Sequence, residues 1–185
     1  MWDEVVKEAQ QKMKSAIAVF EQDLHGMRGG RASTSLVDRM QVEYYGQQTE
    51  LRQLATISTP EPMQIAIRPF DKGAIKVIEK AIRESDLNIN PQVDSDVIRL
   101  NMPPLTRERR QELVKLLHRR AEEARVAIRN IRRHANDELK EYEKEKLISE
   151  DEAKRGENEM QKLTDKSIEQ VEELTKQKES EMMAV

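Results

Sequence analysis

Arg125, Arg129, Arg132 and Arg133 recur at helical spacing around the apolar residues Ile128 and Ile131. On an ideal helix, which turns about 100° per residue, the first three fall within an arc of roughly 60°. Arg107 and His118 lie on the same line, Arg133 sits at its edge, and Glu122 interrupts it. Guanidinium forks one turn apart stand about 5 to 6 Å from each other, a spacing that suits successive phosphates of a nucleic-acid backbone. Residues 105–134 hold ten Lys/Arg against four Asp/Glu, and nine of the ten are arginine. That preference favours forked, bidentate anion recognition over diffuse charge. Residues 149–185 reverse the balance, six basic against eleven acidic. A second reading therefore stands beside the first: a solvated helix face that pairs with an acidic neighbour, as antiparallel helices often do.

Other groups carry less. Arg28 and Arg31 flank Gly29-Gly30, which reads either as a phosphate contact or as a hinge with solubilising charge, since glycine primarily frees the backbone. Tyr44-Tyr45-Gly46 offers a stacking surface for a base, yet adjacent strand residues face opposite sides, so one tyrosine belongs to the core. His118 and His134 stand about four turns apart on one helix, and with His25 they form no metal cluster. The absence of cysteine excludes disulfides, thiolate metal sites and a cysteine nucleophile. Carboxylates are spread over helical faces without a pair that stands apart as acid and base. The expectation is a protein that is not an enzyme and needs no cofactor or metal.

The elements that must position these residues follow from composition. Of 185 residues, 37% are hydrophobic, 36% charged and only 3% aromatic, which suits narrow seams between long helices better than a spherical core. No apolar run approaches the roughly 18 residues that span a bilayer, and no charged-then-apolar leader follows Met1, so the expectation is a soluble, cytoplasmic chain. All six prolines lie between Pro60 and Pro104, so helical ends flank a different middle. The first helix carries its stripe on Val6, Ala9, Met13, Ile17, Phe20, Leu24 and Met27, and Gly26, Gly29 and Gly30 end it. A second follows Pro103-Pro104 and an N-cap at Thr106, with Leu113, Leu117, Ala121, Ala124, Ile128, Ile131, Ala135, Leu139 and Tyr142 as its stripe. A third starts at Ser149, where Ser149 and Glu152 have capping-box spacing and Ile148 with Ala153 form the staple, and continues through Met160, Leu163, Val171, Leu174 and Met182.

These helices predict an elongated three-helix bundle from residues 1–30 and 105–185. Residues 31–104 become an inserted α+β domain whose two connections leave side by side. Strands are expected at Val42–Tyr45, Ile65–Ile67 and Ile98–Met102, more weakly at Thr56–Ser58, with a helix from Ala74 to Arg83 capped by Asp71.

Seven motifs in order carry a resemblance: Arg28-Gly29-Gly30-Arg31-Ala32-Ser33, Val42-Glu43-Tyr44-Tyr45-Gly46, Leu51-Arg52-Gln53-Leu54-Ala55, Glu79-Lys80-Ala81-Ile82, Ser85-Asp86-Leu87, Pro103-Pro104-Leu105-Thr106, and the run from Arg125 to Arg133. Over its whole length the chain resembles the bacterial ribosome recycling factor family. The resemblance implies an L-shaped α+β protein, the bundle joined by two linkers to a smaller β/α/β domain. It implies a monomer that binds the post-termination ribosome across the A and P sites of the large subunit, mainly through bundle arginines on 23S rRNA. Elongation factor G with GTP then drives the smaller domain and the subunits separate. On the matching positions Arg129 and Arg132 are the principal rRNA contacts, supported by Arg28, Arg31, Arg110 and Arg133; the shared arc adds Arg125, and Gly29, Gly30, Pro103 and Pro104 are expected to act as the hinge. Gly29 departs from the family's usual threonine. His134 replaces a commonly acidic residue, which is expected to make the RNA face more positive. The rival reading is a coiled-coil interaction module or chaperone whose arginines only confer solubility.

Overall fold

The computed structural model describes residues 1–27, 29 and 31–184, so the roles expected of Arg28 and Gly30 fall outside the described residues. In chain order the elements are helix α1 (Trp2–His25), strands β1 (Gln41–Tyr44) and β2 (Gln47–Glu50), the one-turn helix α2 (Leu51–Leu54), strands β3 (Ala55–Glu61) and β4 (Gln64–Pro69), helix α3 (Ile75–Glu84), strands β5 (Gln92–Asp94) and β6 (Val97–Asn101), and helices α4 (Arg107–Lys144) and α5 (Glu150–Met183). The chain divides into two compact units: Met1–Leu24 with Val114–Ser180, and His25–Leu113 with Glu181–Val185. The class is α+β.

The first unit is helical and packs by stripes. α1 buries Val5, Ala9, Met13, Ile17, Phe20 and Leu24 at intervals of three and four residues. Val5 holds the seam position expected of Val6, which is half-buried. On α4, Leu117, Ala121, Ala124, Ile128, Ala135 and Leu139 are buried, whereas Ile131 and Tyr142 lie at the seam's edge. α5 differs more from expectation. Its seam runs through Ala153, Gly156, Met160, Thr164, Ser167, Val171 and Thr175, and Leu163 and Leu174 are only half-buried. The hydroxyls explain the exchange. Thr164 and Thr175 donate to the carbonyls of Met160 and Val171 at 2.7 Å each, and Ser167 Oγ donates to Met13 Sδ of α1 at 3.5 Å. A buried hydroxyl so satisfied occupies a core position at little cost.

The turn between α4 and α5 is built by its caps. Lys146 has φ 62°, the left-handed residue that closes α4. Its N–H donates to Glu143 O at 3.0 Å and the Leu147 N–H to Tyr142 O at 2.8 Å, the two bonds of a Schellman motif. α5 then opens with the expected capping box. The Glu152 N–H donates to Ser149 Oγ at 3.1 Å and the Ser149 N–H to Glu152 Oε2 at 2.8 Å, with Ile148 and Ala153 both buried. Leu139 beside Gly156, Arg132 bonded to Gln161, and His118 paired with Glu179 mark an antiparallel helix pair.

The second unit centres on an antiparallel sheet of order β3-β4-β6-β5. Ile65, Ile67, Ile98 and Leu100 of the sheet share one core with Ile78 and Ile82 of α3 and Val42 of β1. The Asp71 carboxylate accepts from the Gly73 N–H at 2.9 Å, but a 3-10 turn at Lys72–Ala74 intervenes, so α3 starts at Ile75. β1 and β2 form a hairpin in which Tyr44 pairs with Gln47. Its two turn residues, Tyr45 and Gly46, have φ 47° and 78°, the left-handed pair of a type I′ turn. The expected strand therefore stops at Tyr44. β6 likewise stops at Asn101, and the Met102 N–H donates to Met63 O at 2.8 Å. The Ala32 N–H donates to Pro62 O, also at 2.8 Å, which ties both connections to the one β3–β4 turn.

Candidate nucleic-acid interface

α4 begins where the sequence places it. The Arg109 N–H donates to Thr106 Oγ1 at 3.0 Å, so Thr106 is the N-cap, and Pro103 and Pro104 stand exposed before it. Burial of the Leu117–Leu139 stripe fixes the helix's rotation, and that rotation sets the arginine arc at the edge of the seam. The Arg125 side chain is 20% exposed, that of Arg129 45%. This difference places Arg125 at the inner rim and Arg129 one turn on, in solvent.

One carboxylate serves both. Glu122 Oε2 accepts from Arg125 Nε at 2.9 Å, and Glu122 Oε1 accepts from Arg129 Nη1 at 3.4 Å. The hydrogen bond from Arg125, with the nearby guanidinium charges, lowers the Glu122 pKa below its ordinary 4.5. Arg132 reaches across to α5, where its Nη1 donates to Gln161 Oε1 at 3.4 Å, and Gln161 in turn donates to Asp165 Oδ1 at 2.8 Å. Arg133 is exposed one residue further. Arg125, Arg129 and Arg132 thus form one line on the helical unit, with Arg133 at its edge.

Arg31 and Arg110 belong to the second unit, the first exposed and the second half-buried with its Nε buried and without a hydrogen-bond partner. His134 corrects the sequence expectation. It lines a cleft between α1 and α4 with Glu8, Lys12 and Glu138, about half a turn around the helix axis from Arg125, so it adds no charge to the arginine line. Tyr45 is 85% exposed at its turn, while Tyr44 donates its hydroxyl to Asp71 Oδ2 at 2.8 Å.

Sequence reasoning missed two polar groups beside the arginines. Gln161 is invisible from α4 alone, because only the antiparallel register brings it to Arg132. Asn136 continues the arc one turn past Arg132, and its Oδ1 is buried with no hydrogen-bond partner. Its spacing of four residues from Arg132 was the available signal.

The charge pattern favours an external anion. Arg109, Arg120, Arg125 and Arg129 pair with Glu112, Glu123 and Glu122 of their own helix at three- or seven-residue spacing. Such surface pairs are weak and leave the guanidiniums with little commitment to their own helix. The acidic third helix contributes Glu179, which meets His118 Nε2 at 3.3 Å. Among the described residues no group of His and carboxylates is arranged to hold a metal, and no helix is long and apolar enough to cross a membrane.

Comparison with known proteins places the fold in a family. The family description "Ribosome recycling factor" matches residues 20–183. The chain belongs to the ribosome recycling factor family. It is 57% identical over 185 residues to the ribosome-recycling factor of Carboxydothermus hydrogenoformans and 51% identical over 185 residues to that of Symbiobacterium thermophilum, covering all of both chains in each case. A solution structure of the ribosome recycling factor superposes with a TM-score of 0.81 at 49% identity, covering 100% of this chain and 98% of that one. The T. thermophilus ribosome recycling factor, in a structure with E. coli elongation factor G bound to the E. coli post-termination complex, gives a TM-score of 0.68 at 45% identity, with full coverage of both chains. Helical unit and small sheet unit are therefore the recycling-factor fold.

Proposed function

We propose that this chain recycles ribosomes by binding the large subunit of the post-termination ribosome through 23S rRNA and, with elongation factor G and GTP, promoting separation of the subunits. The arginine line of α4 carries this reading. Arg129 and Arg132 contact phosphates directly, Arg125 anchors the inner end, and Arg133, Arg110, Arg31 and Arg28 support them. A 38-residue helix, about 57 Å long at 1.5 Å per residue, holds the forks at fixed spacing, so little conformational freedom is lost on docking. The chain itself breaks no covalent bond. GTP hydrolysis on the partner supplies the work, and the small unit receives it through connections at Gly29-Gly30 and Pro103-Pro104. Glycine frees one connection and proline restricts the other, which gives the motion a direction. The protein acts as a cytoplasmic monomer.

Support comes from the family match and from the neighbouring structure, whose description names elongation factor G and the post-termination complex. The test is light scattering of post-termination ribosomes. Scattering should fall to the level of free subunits only when the chain, elongation factor G and GTP are all present. An equal fall without the chain, or none with it, contradicts the proposal.

A further inference from the structure

Glu122 is the carboxylate that interrupts the arginine arc, and both of its oxygens are engaged, Oε2 by Arg125 Nε at 2.9 Å and Oε1 by Arg129 Nη1 at 3.4 Å. In the free protein these two guanidiniums already face an anion. An incoming phosphate offers the same acceptor chemistry, so binding requires exchange of one oxyanion for another. A carboxylate in this position has two opposed effects. It can hold the guanidiniums in their bound pose, or it can occupy their forks and repel the phosphate.

Geometry decides between them. The Arg125 side chain is only 20% exposed at the rim of the helical seam, so packing restricts it. The Arg129 contact is 3.4 Å long and its side chain 45% exposed, too weak a tether for a flexible chain. Orientation therefore gains little from Glu122, while its full negative charge stays within hydrogen-bond reach of two phosphate-binding groups.

We propose that Glu122 is an affinity-setting residue, a fixed competitor that keeps Arg125 and Arg129 from holding rRNA phosphates at full strength. A factor that must leave after each round needs such a limit, since residence time follows the dissociation rate. The hydrogen bond from Arg125 lowers the Glu122 pKa below its ordinary 4.5, so the competitor is charged at neutral pH. The inference rests on the arginine line being the rRNA contact.

Glu122→Gln keeps the side chain's shape and removes its charge, and Glu122→Ala removes both. Affinity of each for purified large ribosomal subunits, measured over several salt concentrations with the dissociation rate from a chase experiment, is compared with Arg129→Ala and with thermal melting of every variant. Both Glu122 variants should remain folded, melting at or slightly below the wild-type temperature, and bind roughly three- to tenfold tighter at low salt through slower dissociation. Their affinity should fall more steeply with salt, by close to one contact, because one more rRNA phosphate is neutralised and releases its condensed cation. Unchanged or weaker binding by the Glu122 variants, beside weakened binding by Arg129→Ala, overturns the competitor role and leaves the arginine line intact. No change in any of the three overturns both.

Discussion

Arg125 Nε stands 2.9 Å from Glu122 Oε2, one helical turn earlier on α4, and this contact is the main cause of the depressed Glu122 pKa. A carboxylate depressed in the folded state adds stability above its unfolded pKa and loses it as pH falls through the folded value. The contribution of Glu122 is thus complete above its ordinary value of 4.5 and disappears at lower pH. Carboxyl-carbon NMR should find the Glu122 midpoint below 4.5 in the wild type and closer to it in Arg125→Ala. Identical midpoints in the two proteins would assign the shift to some other cause.

Tyr44 and Asp71 tie β1 to the start of α3. The Tyr44 hydroxyl donates to Asp71 at 2.8 Å, and that bond, with burial and the carboxylate charge, pushes the phenol up to about 12. Its contribution to stability is present below the ordinary value of 10.0 and lost as pH rises through about 12. Ultraviolet titration of the three tyrosines should include one step near pH 12 that vanishes in Tyr44→Phe and moves down in Asp71→Asn. A step near pH 12 that survives Tyr44→Phe rules out this pairing.

Gly156 makes room for Leu139 where α4 and α5 approach. A Cβ at Gly156 would lie 2.8 and 3.0 Å from the two Leu139 methyls, and Leu139 is fully buried. Alanine normally improves a helix interior by about 1 kcal/mol over glycine, whereas overpacking costs about 1 to 3 kcal/mol. Gly156→Ala should therefore destabilise the wild type by about 1 kcal/mol yet stabilise a Leu139→Ala background. Chemical denaturation of the four proteins of this cycle reads the coupling directly, and additivity would mean the two residues do not meet.

What the sequence made legible was whatever repeated or capped. The α1 and α4 stripes, the Thr106 cap and the Ser149–Glu152 box depend on local spacing, and the structure contains them. The α5 seam was obscured because Thr164, Ser167 and Thr175 look like surface residues until their hydroxyls find partners. β2 (Gln-Gln-Thr-Glu) and β5 have no apolar alternation, since backbone pairing holds them as edges, and neither was foreseen. At the site, spacing alone placed Arg125, Arg129 and Arg132 on one line. It could not reveal Gln161, which depends on helix pairing, nor that His134 faces the α1 cleft. The seven motifs supplied the recycling function, which periodicity could not.

The most direct test of the arginine line is a salt series of the affinity of Arg132→Ala for purified large ribosomal subunits, with the melting temperature of the free protein beside it. Arg132 is half-buried and makes a long bond, 3.4 Å to Gln161, so its removal should cost about 1 kcal/mol or less of stability and leave the protein folded. Losing a charge-assisted phosphate contact costs about 1.5 to 3 kcal/mol, roughly ten- to a hundred-fold in affinity. The slope of affinity against salt should flatten by close to one contact. Wild-type affinity and slope in a normally folded Arg132→Ala, or weak binding traced to unfolding, would contradict the account.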